Sequence, residues 1–256
     1  MSFNPLGALA RFFGKGVSWG FAEPLPQPNV YFINIDGTVV YPFSTPETGA
    51  TSITQLIAEL ALNPVGSLLD GDIIEVVDNG IISESSTVEP MANDITIRSW
   101  GTNGLNRRTS KPTISTSEQI LFDSHTNGNT GLKVEGLEIV PQAGCSRVYK
   151  GLSGDFSYNI VDASLADSDE SIVYAEYGFR MVNNLIKSAP DRAVLINDSG
   201  MVGDISDIHH NTIVGWNRAA GSDIPAIRLD EGFLYVFSNN LDGEGGTGQV
   251  ALSSFA

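Results

Sequence analysis

The sequence predicts an all-β protein built as a parallel β-helix, a solenoid of about seven coils with an N-terminal capping helix and an extended arm in front. Three observations carry this expectation. Gly accounts for 27 of 256 residues and charged residues for only 17%, which favours turns and short strands over long surface helices rich in Lys, Arg and Glu. A unit of strand, acidic or amide turn, glycine, strand, asparagine turn and strand recurs at intervals of 24 to 29 residues. Its β-branched runs lack a 3.6-residue period, and the fixed leucine and asparagine offsets of a leucine-rich repeat are missing, which leaves short strands stacked coil upon coil.

The repeat is clearest from about residue 131. Gly154, Gly178, Gly203 and Gly232 each introduce a strand: DFSYNIVDAS, FRMVNNLIKS, DISDIHHNTIVGW and FLYVFSNNLDG. Each glycine follows an apolar run: SRVYKG, SIVYAEYG, RAVLINDSG and PAIRLDEG. Within the strands Asn184, Asn211 and Asn240 fall in equivalent places, with Ala163 in that place one repeat earlier. Like residues on successive coils stack about 4.8 Å apart, so these amides are expected to form a structural ladder. Between residues 99 and 131 turn residues dominate, and a loop is expected there in place of a strand.

Residues 1–48 hold Pro5, Pro24, Pro26, Pro28, Pro42 and Pro46, half of the 12 prolines, around one strand-like run, VYFINIDGTVVY. They read as an extended arm. Its aromatics Phe3, Phe12, Phe13, Trp19, Phe21, Tyr31 and Phe32 lie outside the repeat and are expected to meet a partner surface. Residues 49–256 form the expected body. It opens with a helix at about 52–62, where Ser52 and Gln55 have capping-box spacing and Ile53, Leu56, Ile57, Leu60 and Ala61 form an apolar stripe. Asn63-Pro64 stops the helix, and LLDGDIIEVVDNG and NDITIRSWG follow as strands.

This order of parts resembles the right-handed parallel β-helix proteins of the pectate-lyase-like class, which includes bacteriophage tailspikes. The residues that carry the resemblance are the helix Ser52 to Leu62, the segment Gly71-Asp72-Ile73-Ile74-Glu75-Val76 and the strand Asp94-Ile95-Thr96-Ile97-Arg98. It covers residues 51 to 250 as a pattern of architecture and speaks more to fold than to function. The chain is short for the polysaccharide-cleaving members and is similar in that respect to capsid-stabilising or decoration proteins related to tailspikes. The resemblance therefore implies a virion structural protein that performs no chemistry and contacts a major capsid protein or other virion proteins, with a homo-oligomer as a further expectation. The runner-up expectation is a tailspike-like protein that binds or cuts a host polysaccharide. The segment GQVALSSFA has no amphipathic cap after it, so either another subunit covers this end or the chain derives from a longer spike-like ancestor.

Composition narrows the chemistry. A net charge of −16 with only 14 Lys and Arg opposes nucleic acid as a partner. No run approaches the roughly 18 apolar residues that span a bilayer, and Arg11 and Lys15 interrupt the apolar start, so neither a membrane partner nor a secretion signal is expected. If the chain were an enzyme, the carboxylates before the glycines, Glu176, Asp198, Asp230 and Glu231, would be the candidates, since glycoside hydrolysis needs two at roughly 5 to 9.5 Å. A sugar-binding module would use Tyr174, Tyr177 and Trp216. No cofactor or metal is expected. His209 and His210 should point to opposite faces of a strand and so fail to chelate together, and the loop at Asp167 and Asp169 has Ile172 where a calcium loop needs glycine. The strings Gly16-Val17-Ser18-Trp19-Gly20 and Gly243-Glu244-Gly245-Gly246-Thr247-Gly248 spell a nucleophile elbow and a dinucleotide loop but lack the strands and helices those motifs require.

Overall fold

Strands of three to five residues, each flanked by turns, bury alternate side chains when like strands stack in register, and that is the organising rule of this chain. A computed structural model describes residues 27–63, 67–100, 111–167, 171–197, 205–216, 224–230, 233–243 and 250–254. It opens with β1 (Val30–Ile33), a 3-10 turn at Pro46–Thr48 and the single described α-helix, α1 (Ile53–Leu62).

From there the chain repeats a set of short strands seven times, and we call each set a rung. The first is β2 (Ile73–Val76), β3 (Ile81–Glu84) and a single bridge at Val88. The second is β4 (Thr96–Ser99), β5 (Thr113–Thr116) and β6 (Ile120–Asp123), followed by β7 (Leu132–Glu135), β8 (Glu138–Pro141) and β9 (Arg147–Gly151). The fourth is β10 (Gly154–Ser157), β11 (Ile160–Asp162) and β12 (Val173–Ala175), and the fifth β13 (Phe179–Val182), β14 (Leu185–Lys187) and β15 (Val194–Ile196). The last two are β16 (Ile205–His209), β17 (Thr212–Val214) and β18 (Pro225–Leu229), then β19 (Phe233–Phe237), β20 (Asn240–Asp242) and β21 (Val250–Ser254). The first strands of the rungs, with β1 at the edge, form sheet one; the second strands form sheet two; the third strands form sheet three. Every pairing between them is parallel. The stretch from 99 to 131, expected to lose a strand to a loop, supplies both β5 and β6.

The register stacks one apolar column per sheet. In sheet one Ile74, Ile97, Val134, Phe156, Met181, Ile208 and Val236 follow one another. In sheet two the column is Ile82, Ile114, Ile139, Val161, Ile186, Ile213 and Leu241. In sheet three it is Phe122, Tyr149, Val173, Val194 and Ile227. All three sheets feed one buried core. Burial pushes the Tyr149 phenol above its ordinary value, and its hydroxyl donates to the Leu132 and Ser153 carbonyls. Gly154 has to be glycine: at φ +148 a Cβ would lie 2.1 Å from the Leu132 carbonyl oxygen.

The start of the chain corrects one expectation. Tyr31 and Phe32, assigned to an extended arm, lie in β1, which pairs with β2 and covers an edge that would otherwise expose a row of backbone groups. Phe32 is buried, meets Trp100 edge-on at 6.4 Å, and Phe43 from the same stretch is buried too. Asp72 clamps this strand: its Oδ1 accepts from the Asn29 backbone N–H at 2.9 Å and side-chain amide at 3.0 Å, and its Oδ2 from the Leu69 N–H at 2.9 Å. The body therefore includes residues from 29 onward. Phe3, Phe12, Phe13, Trp19 and Phe21 lie outside the described residues.

Helix α1 starts where the capping spacing places it. The Gln55 N–H donates to Ser52 Oγ at 3.1 Å, although the Gln55 side chain reaches the Thr51 N–H at 2.9 Å instead of closing back on Ser52. Ile53, Leu56 and Leu60 are buried, Ile57 is partly so, and Ala61 is exposed. A carboxylate from β3 completes the cap. Glu84 accepts from the Ile53 N–H at 2.7 Å, the Thr54 N–H at 3.1 Å and the Thr54 hydroxyl at 2.8 Å, where the helix N-terminus favours negative charge.

Candidate functional site

Two groups of polar side chains recur across rungs, and each sits at a corner between sheets. The first is the asparagine ladder between sheets one and two. The amide of Asn184 accepts from the Asn159 N–H at 2.9 Å and donates to the Phe156 carbonyl at 2.7 Å and to Asn211 Oδ1 at 2.9 Å. Asn211 repeats this against Asn239, whose amide donates to the Ile208 carbonyl. The ladder is thus Asn159, Asn184, Asn211 and Asn239. Asn240, expected in it, is the exposed first residue of β20 and pairs with Thr212; Ala163 lies after β11, away from the corner. The cause is the residue before each ladder asparagine. Tyr158, Asn183, His210 and Ser238 are all left-handed, at φ 53 to 58, and this turns the next side chain into the stack.

The second group lies at the ends of sheet-three strands and contains the carboxylate column. Asp123 closes β6 and accepts from the Thr126 N–H at 2.9 Å and hydroxyl at 2.7 Å, a local turn that raises His125 above the sheet. There His125 Nε2 meets Glu176 Oε1 at 2.6 Å. Glu176 also accepts from the Tyr174 hydroxyl at 3.3 Å, which in turn accepts from the Asn197 amide at 3.3 Å. Tyr174 faces outward from β12, with the Arg147 guanidinium 4.8 Å from its ring centroid and His125 edge-on at 5.9 Å. Burial pushes the Tyr174 phenol above 10, the Asn197 hydrogen bond opposes that, and the Glu176 charge adds to it. The cluster ties the turn after β6 to β12, across the rung of β9. It is a strap over three rungs, and it joins residues 51 apart in sequence that no local pattern links.

The catalytic expectation meets this geometry unfavourably. Glu176, Asn197 and Asp230 follow Ala175, Ile196 and Leu229, which are in register, so the two described carboxylates stand two rungs apart, about 10 Å. That exceeds the roughly 5 to 5.5 Å of a retaining pair. An amide stands between them, and each carboxylate is already engaged by another side chain: Glu176 by the His125 ring and Asp230 by the Arg228 guanidinium. Asp198 and Glu231 lie outside the described residues, as does Asp169. The aromatic set is dispersed as well. Trp216 is buried with its indole N–H donating to the Ile224 carbonyl at 3.1 Å, while Tyr177 is half-buried in the turn before Gly178. Among the described residues the exposed aromatics are instead Trp100, Tyr158, Tyr235 and Phe237. Cys145 is buried, and burial pushes its thiol up to about 11, which disfavours the reactive thiolate.

Sheet one carries a further polar column on its outer face, where Asp155, Arg180, Asp207 and Tyr235 are in register and Arg180 binds Asp155 at 3.0 Å. His209 and His210 border it, and here the strand-alternation argument fails. β16 ends at His209, His210 is left-handed at φ 56, and the two rings meet with centroids 4.9 Å apart. Against protein-family models, curated proteins and solved structures, the chain shows no match to any.

Proposed function

We propose that the chain is a structural protein of a bacteriophage virion, a capsid-stabilising or decoration protein whose three sheets close into a right-handed parallel β-helix. In this reading residues 1–26 anchor it to a capsid protein, and the body performs no chemistry. The observation that carries the reading is the internal use of the side chains that an enzyme would free: Glu176 is spent on His125 and Asp230 on Arg228, about 10 Å apart. What such a body offers is stiffness, from parallel ladders and stacked apolar columns that run through all seven rungs in sheets one and two and through five in sheet three.

Co-sedimentation with assembled capsids of the source virus tests the reading, and the fold fixes where to cut. Removing residues 1–26 is expected to abolish binding while the β-strand circular dichroism persists. Removing residues 1–48 is expected to lower the melting temperature as well, because it takes away β1 and leaves Asp72 without Asn29. If the full-length chain does not sediment with capsids, the reading fails. Release of reducing ends from host polysaccharide by the wild type but not by Glu176→Gln would replace it with the glycan-cleaving one.

A further inference from the structure

We infer that the short corner between sheets one and two carries a binding site for a small organic carboxylate with an apolar body. This goes beyond the structural role above and does not depend on it. A cavity of about 370 Å³ lies outside this corner over rungs four to six, within the size range of small-molecule sites. Two columns of side chains shape it. Tyr158, Asn183 and His210, the left-handed residues before the ladder asparagines, are exposed and stand along one wall. Ile160, Leu185 and Thr212, in register at the starts of β11, β14 and β17, make a half-buried floor. The first and third members of each column are about 10 Å apart, the length of a small ligand. A cation reaches this cavity from two rungs away. The Glu138 N–H donates to the Pro112 carbonyl as the Ile160 N–H donates to the Leu137 carbonyl, so Lys111 and Gly136 hold in rungs two and three the place that Tyr158 holds in rung four. Gly136 adds no side chain between them, and the Lys111 ammonium donates to the Tyr158 carbonyl, which sets its charge at one end of the cavity.

The lining departs from the character of the chain. Against 30 Asp and Glu in the whole sequence, none of the residues lining the cavity is acidic, while Lys111 supplies a positive charge and Ile160 and Leu185 an apolar surface. A ligand carboxylate on the ammonium makes a charge-assisted pair, stronger than a hydrogen bond between neutral groups. The Tyr158 ring and the two aliphatic side chains suit a flat apolar body, and a few polar groups beyond them fix its orientation. Those groups are Asn183, Thr212 and the His210 ring, which can meet a hydroxyl substituent; His210 uses Nε2, because its Nδ1 faces His209 at 2.6 Å. A sugar ring fits less well, since it would set hydroxyls against Ile160 and Leu185 without partners. Glu138 precedes Ile160 in the floor column on the Lys111 side, so its charge opposes a bound carboxylate and sets a limit on affinity.

The test titrates the full-length protein with para-hydroxybenzoate and, as its uncharged counterpart, para-hydroxybenzamide, and reads binding by proton NMR. With three histidines in the chain, the His210 ring signals are assigned by their loss in His210→Asn. They are expected to shift saturably in the millimolar range with the acid, while those of His125, beside sheet three, stay in place. The amide is expected to bind about 10-fold more weakly, and Lys111→Gln to abolish that difference. Glu138→Gln is expected to tighten the acid about 2- to 5-fold, whereas Lys133→Gln on sheet one leaves it unchanged. Tyr158→Asn, which keeps a residue tolerant of the left-handed backbone, is expected to weaken acid and amide alike, and so probes the wall without touching the charge. Absence of saturation by about 10 mM overturns the proposal. So does equal affinity for acid and amide, a preference for the acid that survives Lys111→Gln, or tighter binding of glucuronate than of para-hydroxybenzoate.

Discussion

Asn184→Ala is expected to lower the unfolding free energy by about 3 to 5 kcal/mol, from the cost of about 1 to 3 kcal/mol per buried polar group left without a partner. The truncation strands the Asn159 N–H and the Phe156 carbonyl and removes one of the two donors to Asn211 Oδ1, which keeps the Asn184 backbone N–H, at a corner where these asparagines are buried. Because the amides bond rung to rung, the loss falls on three successive rungs. Urea denaturation followed by circular dichroism measures it, and Asn240→Ala supplies the control. Asn240 is exposed and outside the ladder, so its replacement is expected to cost less than about 0.5 kcal/mol, whereas Asn239→Ala at the neighbouring position costs measurably more. Equal effects at 239 and 240 would contradict the register.

The second large effect is expected at Glu84. Glu84→Ala removes the acceptor for the Ile53 and Thr54 N–H groups and the Thr54 hydroxyl, with an expected cost of about 2 to 4 kcal/mol at pH 7. The pH dependence follows from the raised pKa of the carboxyl. Burial lifts it above 4.5, and the hydrogen bonds from Ile53 and Thr54 only partly oppose this. The native state therefore holds its proton to higher pH than the unfolded chain does. The associated stability is fully present below 4.5 and is lost as pH rises through the native value. Urea midpoints are expected to show the gap between wild type and Glu84→Ala widening as pH falls from 7 toward 4.5. A gap that narrows over that range would mean that the native pKa is lowered, not raised.

Much of the architecture was legible because stacking imposes the same demand on every rung. The apolar runs before Gly154 and Gly178 become β9 and β12, the runs after them become β10 and β13, and the helix stands at its capping signal. What was not legible depended on partners distant in sequence or on a single backbone angle. β1 looked like part of an arm because prolines flank it; its partner β2 begins 43 residues later, and no local pattern reports that pairing. The choice of Asn240 over Asn239 followed from counting residues without knowing which one takes the left-handed turn. The same turn at His210 defeated the alternation rule and brought two rings together that a strand would have kept apart. The strap from His125 to Glu176 has no signature at all in the chain between them.

The corner that carries the asparagines has one further property: its length never changes. From the third rung to the seventh, sheets one and two are joined by two residues each time, at 136–137, 158–159, 183–184, 210–211 and 238–239. Over the same rungs the connections from sheet two to sheet three run from five residues (142–146) to ten (163–172 and 215–224). The return from sheet three to sheet one varies too, from two residues (152–153) to eight (197–204), so insertions and deletions have two places to accumulate and one place where they are lethal to the design. A single residue added at the short corner would turn the following strand inside out and put its apolar column in water. A foreign peptide grafted between Asp162 and Val173 would instead hang from an unchanged scaffold, so the body accepts new surface loops on one side while the opposite corner keeps count of the rungs.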